Sequence, residues 1–367
     1  MARMSQPLDL AARAAIESFV EPHLRQSLGE ARAVQQFELQ GERLQLGLQL
    51  GFPVGGYQAA LQAMLQQHLA AQGMALQLDL SLHARIDAHA VQRGLSPLPG
   101  IANVVAVASG KGGVGKSTVA VNLALAWASQ GARVGLLDAD IYGPSQPIML
   151  GMQGERPTSQ DGKRLVPISS HGVVAMSIGF LVDVEQPMVW RGPMVTSALN
   201  QLMAETDWGA LDYLVIDMPP GTGDIQLTLS QRVPVAGAVI VTTPQDISLA
   251  DARKGLRMFE KVNVPVLGIV ENMSLHVCSQ CGHVDHVFGA GGGERMAEQY
   301  GVQLLGELPL DARIREEADG GKPTVVAAPD SERAQAYFAL ARRTAGELAR
   351  RSRDRSLAFP KIVVEDT

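Results

Sequence analysis

The sequence predicts an α/β fold with a mostly parallel sheet and flanking helices, preceded by a small α+β N-terminal domain. Beyond residue 100, short β-branched runs alternate with helical segments, which is typical of a parallel sheet with crossover helices. The runs cover 104–108, 134–137, 214–216, 238–241 and 266–270. Before residue 100 the order is helix, strand, strand, helix, strand, which describes a small α+β unit.

Apolar spacing defines the N-terminal domain. Residues 8–28 have the apolar spacing of a helix, and the leucines of 44–50 alternate as in a strand buried on one face. A second helical stretch covers 57–72. It leads into residues 74–82, which again have the two-residue period of a strand.

A change in composition marks the end of this domain. The first lysine of the chain is Lys111, and a connector rich in glycine and proline covers 93–100. We therefore predict an N-terminal domain over 1–98, a second domain over 99–349, and a flexible tail over 350–367.

Length, composition and charge restrict the class of protein. A chain of 367 residues favours two domains, and 46% hydrophobic with 19% charged residues argues against disorder across the whole chain. We find no apolar run of membrane-spanning length and no signal-peptide pattern, so we expect a cytoplasmic protein without a membrane partner. The net charge of −6, with no dense basic stripe, predicts no nucleic-acid partner.

A phosphate-binding motif follows the first predicted strand of the sheet. Residues 110–117 fit G-x-x-x-x-G-K-[ST] and lie between a predicted strand and a predicted helix, so we predict a P-loop NTPase. Lys116 is expected to contact the β and γ phosphates of ATP, and Ser117 to ligate Mg²⁺. The predicted nucleotide-binding residues of this segment are Gly110, Lys111, Gly112, Gly113, Val114, Gly115, Lys116, Ser117 and Thr118.

A second lysine, Lys111, lies five residues before Lys116. Glycine-flanked lysines are common at protein surfaces, so Lys111 can be a solvated side chain. Alternatively it stabilises charge on the phosphates as a catalytic residue, acting across a dimer interface as an arginine finger does.

Three aspartates follow predicted strands. Ligands in such sheets bind at the carboxyl ends of strands, so we expect Asp138, Asp140 and Asp217 to converge on the phosphates. Asp217 is predicted to hold the magnesium shell, and Asp138 to have an accessory role there. Asp140 is predicted to position or deprotonate the attacking water. For Asp138 and Asp140, a helix-cap or turn role is the alternative.

Cys278 and Cys281 are the only cysteines of the chain, and three interpretations compete. A redox dithiol is expected at a helix start near a thioredoxin-like pattern, which is absent. A zinc site would add two of His276, His283 and His286. An iron–sulfur cluster usually takes four thiolates, and one chain supplies two, so two copies related by a two-fold axis would supply the set.

Several segments together resemble one family, the Mrp/ApbC iron–sulfur cluster carriers. These are deviant-Walker ATPases related to the septum-site and plasmid-partition ATPases and to the nitrogenase iron protein. The resemblance covers about 101–345, and the N-terminal unit is similar to a small domain of many bacterial members by pattern. The segments that carry it are 107–118, 138–145, 190–193, 217–224 and 271–273.

The resemblance implies a Mg²⁺-dependent ATPase that acts as a homodimer, binds a labile 4Fe-4S cluster and transfers it to apo iron–sulfur proteins. It implies that Asn272 contacts adenine, and it suggests that 190–193 is an interface or switch element. The other residue roles that it implies are Lys111 as signature lysine, Lys116 and Ser117 as nucleotide and magnesium contacts, Asp140 near the attacking water, and Cys278 and Cys281 as cluster ligands.

Two other functions remain open at this point. One is a positioning ATPase that cycles on a membrane through a C-terminal amphipathic helix, for which residues 331–351 offer a thin apolar face beside arginines. A helix docked on the protein is the more economical interpretation. The other is a zinc-stabilised ATPase scaffold without cluster chemistry.

Overall fold

The computed structural model describes residues 5–159, 162–181 and 192–351. A three-stranded sheet organises the N-terminal unit, with β4 antiparallel to β3 and parallel to β5. The leucines of β4 are buried together with those of α2, as the alternating pattern predicts. The elements are α1 (Ser5–Ser18), β1 (Val20–Glu21), β2 (Gln26–Ser27), β3 (Val34–Gln40), β4 (Arg43–Leu50), α2 (Gln58–Ala71) and β5 (Gln77–Ala84).

The predicted helix over 8–28 is too long, since α1 ends at Ser18. The buried Glu21 carboxylate accepts hydrogen bonds from the backbone N–H groups of His23 and Leu24 at 2.8 and 2.6 Å. Arg25 then adopts a positive φ of 53°. Because these side-chain contacts replace helical bonds, the segment folds into the short β1–β2 hairpin.

A nine-stranded sheet forms the larger unit and confirms the predicted fold class. Seven strands are parallel in the order β14-β12-β11-β6-β10-β7-β9, while β8 and β13 pair antiparallel at β9 and β12. The elements are β6 (Ile101–Ser109), α3 (Lys116–Ser129), β7 (Val134–Asp138), α4 (Gln146–Met149), β8 (Ile168–Ser170), β9 (Val173–Ser177), a 3₁₀ turn (Ile178–Phe180), α5 (Gly192–Glu205), β10 (Leu211–Asp217), α6 (Asp224–Arg232), β11 (Gly237–Thr242), α7 (Asp246–Lys261), β12 (Val266–Val277), β13 (Val284–Asp285), α8 (Gly292–Tyr300), β14 (Gln303–Pro309), α9 (Ala312–Asp319), α10 (Thr324–Ala327) and α11 (Glu332–Ala349).

Each of the five predicted β-branched runs lies inside a parallel strand. Those strands are buried on both faces because helices cover the sheet on both sides. The helix α3, which begins at Lys116, is buried along most of its length. Its Trp127 stacks on Tyr213 with ring centroids 4.2 Å apart, and the indole nitrogen donates to the carbonyl oxygen of Ala341 at 2.8 Å.

The C-terminal helix α11 docks on the body of the protein. Tyr337, Leu340 and Leu348 are each at most 1% exposed, which supports the docked-helix interpretation. No helix within the described ranges is both long and apolar enough to cross a membrane. Of the predicted tail, Arg351 donates to the carbonyl oxygen of Val266 at 3.1 Å, and residues 352–367 lie outside the described part.

The N-terminal unit packs against α3 and α11. Gly55 donates its N–H to the carbonyl oxygen of Gln130 at 3.0 Å, directly after the end of α3. The Arg342 guanidinium of α11 lies 4.8 Å from the ring centroid of Tyr57, whose hydroxyl donates to Glu21 at 2.6 Å. One apolar cluster runs from this unit into the larger one. The domain boundary near residue 98 therefore stays a prediction.

Candidate nucleotide site and cysteine hairpin

The glycine-rich loop joins β6 to α3, which is the strand–loop–helix context that the motif requires. Gly113 and Gly115 both have φ of 80°, a conformation that glycine adopts without strain. At Gly110 a Cβ atom would lie 2.1 Å from the carbonyl carbon of Asp251 in α7, so only glycine fits there. The loop is thereby fixed between the sheet and a helix.

A cavity of about 260 Å³ opens at this loop and brings together most of the predicted nucleotide residues. Gly110, Val114, Asp138, Asp217 and Asn272 are not among its described lining residues. Those lining residues are Ser109, Lys111, Gly112, Gly113, Gly115, Lys116, Ser117, Thr118, Asp140, Gly143, Ser145, Met149 and Pro220.

Lys116 is buried, at 6% exposure, and its ammonium is paired with the fully buried carboxylate of Asp217. The same nitrogen donates to the Ser117 hydroxyl at 3.1 Å. A buried ion pair of this kind keeps each charge from being left unpaired in a poorly hydrated site. The Ser117 hydroxyl and the Asp217 carboxylate are hard oxygen donors beside a phosphate loop, and such a donor set fits Mg²⁺.

Asp138 anchors the segment after β7. Its Oδ2 accepts hydrogen bonds from the N–H groups of Ser145 and Gln146 at 3.0 and 3.1 Å and from the Ser177 hydroxyl at 3.2 Å. Its Oδ1 accepts from the N–H of Asp140 at 3.1 Å. Burial, with Asp217 nearby, raises the pKa of Asp138 to about 7. These contacts match the alternative of a turn aspartate, and the accessory role in the magnesium shell stays a prediction.

Asp140 lines the cavity and is half-buried. Burial raises the pKa of its carboxyl group, and Lys116 opposes that shift. A carboxylate with a raised pKa is a better proton acceptor, so its position and environment suit contact with a water in the cavity.

Lys111 also lines the cavity, and its carbonyl oxygen accepts from the Ser109 hydroxyl at 2.8 Å. No carboxylate in the described ranges forms an ion pair with its ammonium group. Among the described residues, the charge of Lys111 is thus left for an anion in the cavity or beside it.

Asn272 lies at the phosphate loop itself. Its Nδ2 donates to the carbonyl oxygen of Val114 at 2.9 Å, and a Cβ atom on Gly115 would lie 2.3 Å from the same nitrogen. The side chain is buried, at 6% exposure, and supports the loop through this hydrogen bond. The contact with adenine stays a prediction.

Sequence reasoning missed Gln146. Its Nε2 donates to Asp217 Oδ2 at 2.8 Å and to the carbonyl oxygen of Ser117 at 3.1 Å, which joins the loop to the end of β10. The signal in the sequence is weak: Gln146 directly follows the 138–145 segment. A glutamine at that position gives no indication of what its side chain can reach.

The cysteines lie at the tip of the β12–β13 hairpin. Cys278 donates its N–H to the carbonyl oxygen of His283 at 2.9 Å, and Gly282 donates to that of Cys278 at 2.9 Å. Cys281 is exposed and Cys278 half-buried, and both are free thiols. The N–H groups of Cys281 and Gln280 lower the pKa of the Cys278 thiol, which favours the thiolate that binds metals.

Two of the three histidines near the hairpin contact backbone carbonyl groups. His276 and His286 each place Nδ1 within 2.9 Å of a carbonyl oxygen, that of Leu310 and that of Ser274. Over the described ranges, no three His, Cys, Asp or Glu side chains are arranged to hold a metal ion. The part of the chain that the structure describes thus gathers two cysteines for a zinc site and no third ligand beside them. Trp190 and Arg191 of the predicted switch segment lie outside the described residues.

A parallel sheet with a strand–loop–helix phosphate site defines a P-loop NTPase, and the second lysine in the loop is a feature by which the sequence resembles the deviant-Walker class. Residues 100–345 match the family model described as the NUBPL iron-transfer P-loop NTPase. The chain belongs to this family, which confirms the resemblance found in the sequence.

Known relatives and structures agree with this assignment. The iron–sulfur cluster carrier protein of Haemophilus influenzae is 53% identical over 333 residues, covering 91% of this chain and 90% of that protein. The iron–sulfur cluster transfer protein NUBPL of Mus musculus is 52% identical over 256 residues, covering 68% and 80%. A nucleotide-binding protein of Archaeoglobus fulgidus, solved in complex with ADP, is 38% identical with a TM-score of 0.57, covering 65% and 91%. The cell-division ATPase MinD of Pyrococcus furiosus, at 23% identity and a TM-score of 0.51 over 66% and 97%, shares the fold.

Proposed function

We propose that this chain binds and hydrolyses ATP with Mg²⁺, binds a 4Fe-4S cluster, and transfers the cluster to apo iron–sulfur proteins. One observation carries the proposal: strand β12 contacts the phosphate loop and also ends at the cysteines. Asn272 holds the loop carbonyl of Val114, and Cys278 follows six residues later in the chain. A fully extended strand would separate the two residues by about 20 Å. The irregularity within residues 271–275, where Met273 has a φ of 57°, shortens that distance.

The cavity at the glycine-rich loop supports the binding and hydrolysis of ATP. An incoming phosphate offers Lys116 a second anion, so the ammonium can turn from Asp217 toward the β and γ phosphates. Ser117 and Asp217 would then hold Mg²⁺, which neutralises charge on the phosphates. Asp140 orients or deprotonates the attacking water, and Lys111 stabilises phosphate charge across a dimer interface.

The number of cysteine ligands supports the binding of the 4Fe-4S cluster by two chains. Each chain supplies the thiolates of Cys278 and Cys281, and a 4Fe-4S cluster usually takes four, so the cluster bridges a homodimer. Cys281 is exposed, and an exposed cluster can be handed to an apoprotein. The net charge of −6 without a dense basic stripe supports a protein without a nucleic-acid partner, and we place it in the cytoplasm without a membrane partner.

Anaerobic reconstitution with iron and sulfide, followed by absorption and Mössbauer spectroscopy, tests the proposal. We expect a 4Fe-4S signature and transfer of the cluster to the apo form of a 4Fe-4S dehydratase, measured as recovered dehydratase activity. Zinc bound in place of iron and sulfide, or a cluster that never leaves the chain, would contradict the carrier function. Zinc without sulfide would instead support the zinc-stabilised scaffold.

A further inference from the structure

The orientation of the Gln146 carboxamide is fixed by its partners. Gln146 is 1% exposed at the start of α4, and its Nε2 donates to Asp217 Oδ2 and to the carbonyl oxygen of Ser117. A carboxylate and a carbonyl accept hydrogen bonds and cannot donate them, so the NH₂ group must face both. The Oε1 atom is therefore directed away from these two partners.

The two oxygens of Asp217 have different partners. Oδ1 pairs with Lys116, and Oδ2 accepts from Gln146. When Lys116 turns toward a phosphate, Oδ1 is released while the bond to Oδ2 can stay. Within the described residues, Gln146 is then the side chain that still holds this carboxylate.

The remaining oxygen of Gln146 lacks a donor. Oε1 is buried and has no hydrogen-bond partner among the described residues, and the same holds for the hydroxyl oxygen of the neighbouring Ser145, which lines the cavity. Buried polar atoms nearly always have partners, and an exception needs an explanation. The water molecules of a hydrated cation would supply hydrogen-bond donors to these two unpartnered oxygens.

We propose that Gln146 is a positioning residue for magnesium-dependent nucleotide binding. It acts through Asp217, because its bond to Oδ2 holds the carboxylate with Oδ1 directed to the phosphate loop. Its Oε1 accepts a hydrogen bond from a water that enters with the magnesium ion. The inference rests on the proposed function, since it requires nucleotide and Mg²⁺ at this loop.

The test compares the affinity for a fluorescent ADP analogue in Mg²⁺ and in EDTA. The ratio of the two affinities is the magnesium-dependent gain. In Gln146→Met, which keeps the length of the side chain and loses the amide, we expect this gain to fall about tenfold, as a lost bond to a charged group should cost. The affinity in EDTA should stay within about twofold of wild type, a change smaller than the loss of one hydrogen bond.

Two further variants are compared with Gln146→Met: one has a shorter amide at the same position, and the other replaces a distant glutamine. In Gln146→Asn the amide is about 1.5 Å too short to keep its bond to Asp217, so the same loss is expected although the amide group itself is retained. Gln130→Met is the matched control, because Gln130 is a buried glutamine at the far end of α3. It should leave the gain unchanged.

A double variant separates positioning from a merely structural role. If Gln146 acts through Asp217, adding Gln146→Met to Asp217→Asn should lower the gain by less than about twofold further. A magnesium-dependent gain equal to that of wild type in both Gln146→Met and Gln146→Asn would overturn the inference. An equal loss of affinity with and without Mg²⁺ would overturn it as well. Wild type that binds no ADP would overturn the proposed function together with this inference.

Discussion

Lys116 carries a buried charge whose ion-pair partner, among the described residues, is Asp217. In Lys116→Ala the cation aimed at the phosphates is lost, and Asp217 is left buried without its counter-ion. We expect ATP affinity to fall roughly a hundredfold or more, since charge-assisted bonds to phosphate are lost together. Isothermal titration calorimetry measures the change, with the exposed Lys261→Ala as control. Near-normal affinity in Lys116→Ala would refute the site assignment.

Variants of Asp140 and Asp138 should distinguish a role in catalysis from a role in stability. Asp140→Asn is expected to keep nucleotide affinity and to lower turnover about a hundredfold, because a group that acts on water contributes mainly in the transition state. Asp138→Asn should chiefly lower thermal stability, since an amide cannot accept all four hydrogen bonds that the carboxylate accepts. ATPase assays, ADP titrations and melting curves distinguish the two. Parallel loss of binding and turnover in Asp140→Asn would indicate a magnesium-shell or folding role.

The residues of the phosphate site could be predicted where a short motif fixes the backbone. Gly110 and Lys116 are in this class, because their roles depend on the loop geometry that the motif encodes. Gln146 could not be predicted, because its contacts with Asp217 and Ser117 depend on how three elements come together. Asn272 is expected at the adenine from the resemblance, but its bond to the loop carbonyl of Val114 is a tertiary contact that the sequence does not indicate.

At the scale of elements, the β1–β2 hairpin places His23 against α11. Burial, together with the guanidinium groups of Arg342 and Arg343, lowers the pKa of His23 to about 4 from 6.5. The folded state thus binds fewer protons than the unfolded state, and stability is lost as pH falls from 6.5 toward 4. At pH 5 the loss is about 2 kcal/mol by linkage.

Replacement of His23 removes this pH dependence. In His23→Leu the fall in melting temperature between pH 7 and pH 5 should be smaller than in wild type. The exposed His83→Leu is the matched control for the loss of an imidazole. An unchanged pH dependence in His23→Leu would show that His23 is already protonated when folded or is not buried.

The parallel strands could be predicted from sequence because burial on both faces requires continuous β-branched runs. The end of α1 could not, because the helical apolar spacing continues past the residue where the helix stops. Tertiary contacts decide that boundary: Glu21 turns inward to Tyr57, and its carboxylate caps the following turn.

At the scale of the whole molecule, the cluster proposal requires two chains. The described hairpin presents two thiols at its tip, one of them exposed, and gathers no third ligand. A cluster shared at a two-fold interface is exposed to oxygen and chelators, which suits a carrier. Since such a cluster binds the dimer and not the monomer, loading should drive association by mass action.

The most direct test measures iron, sulfide and molecular mass on the same anaerobically reconstituted sample. For wild type we expect a dimer by light scattering with about four irons and four sulfides per dimer. Cys278→Ala and Cys281→Ala should each lose the cluster and keep ATP binding, while Ser279→Ala, between the cysteines, should keep both. A stable monomer carrying a full cluster, or one zinc per chain without sulfide, would contradict the account.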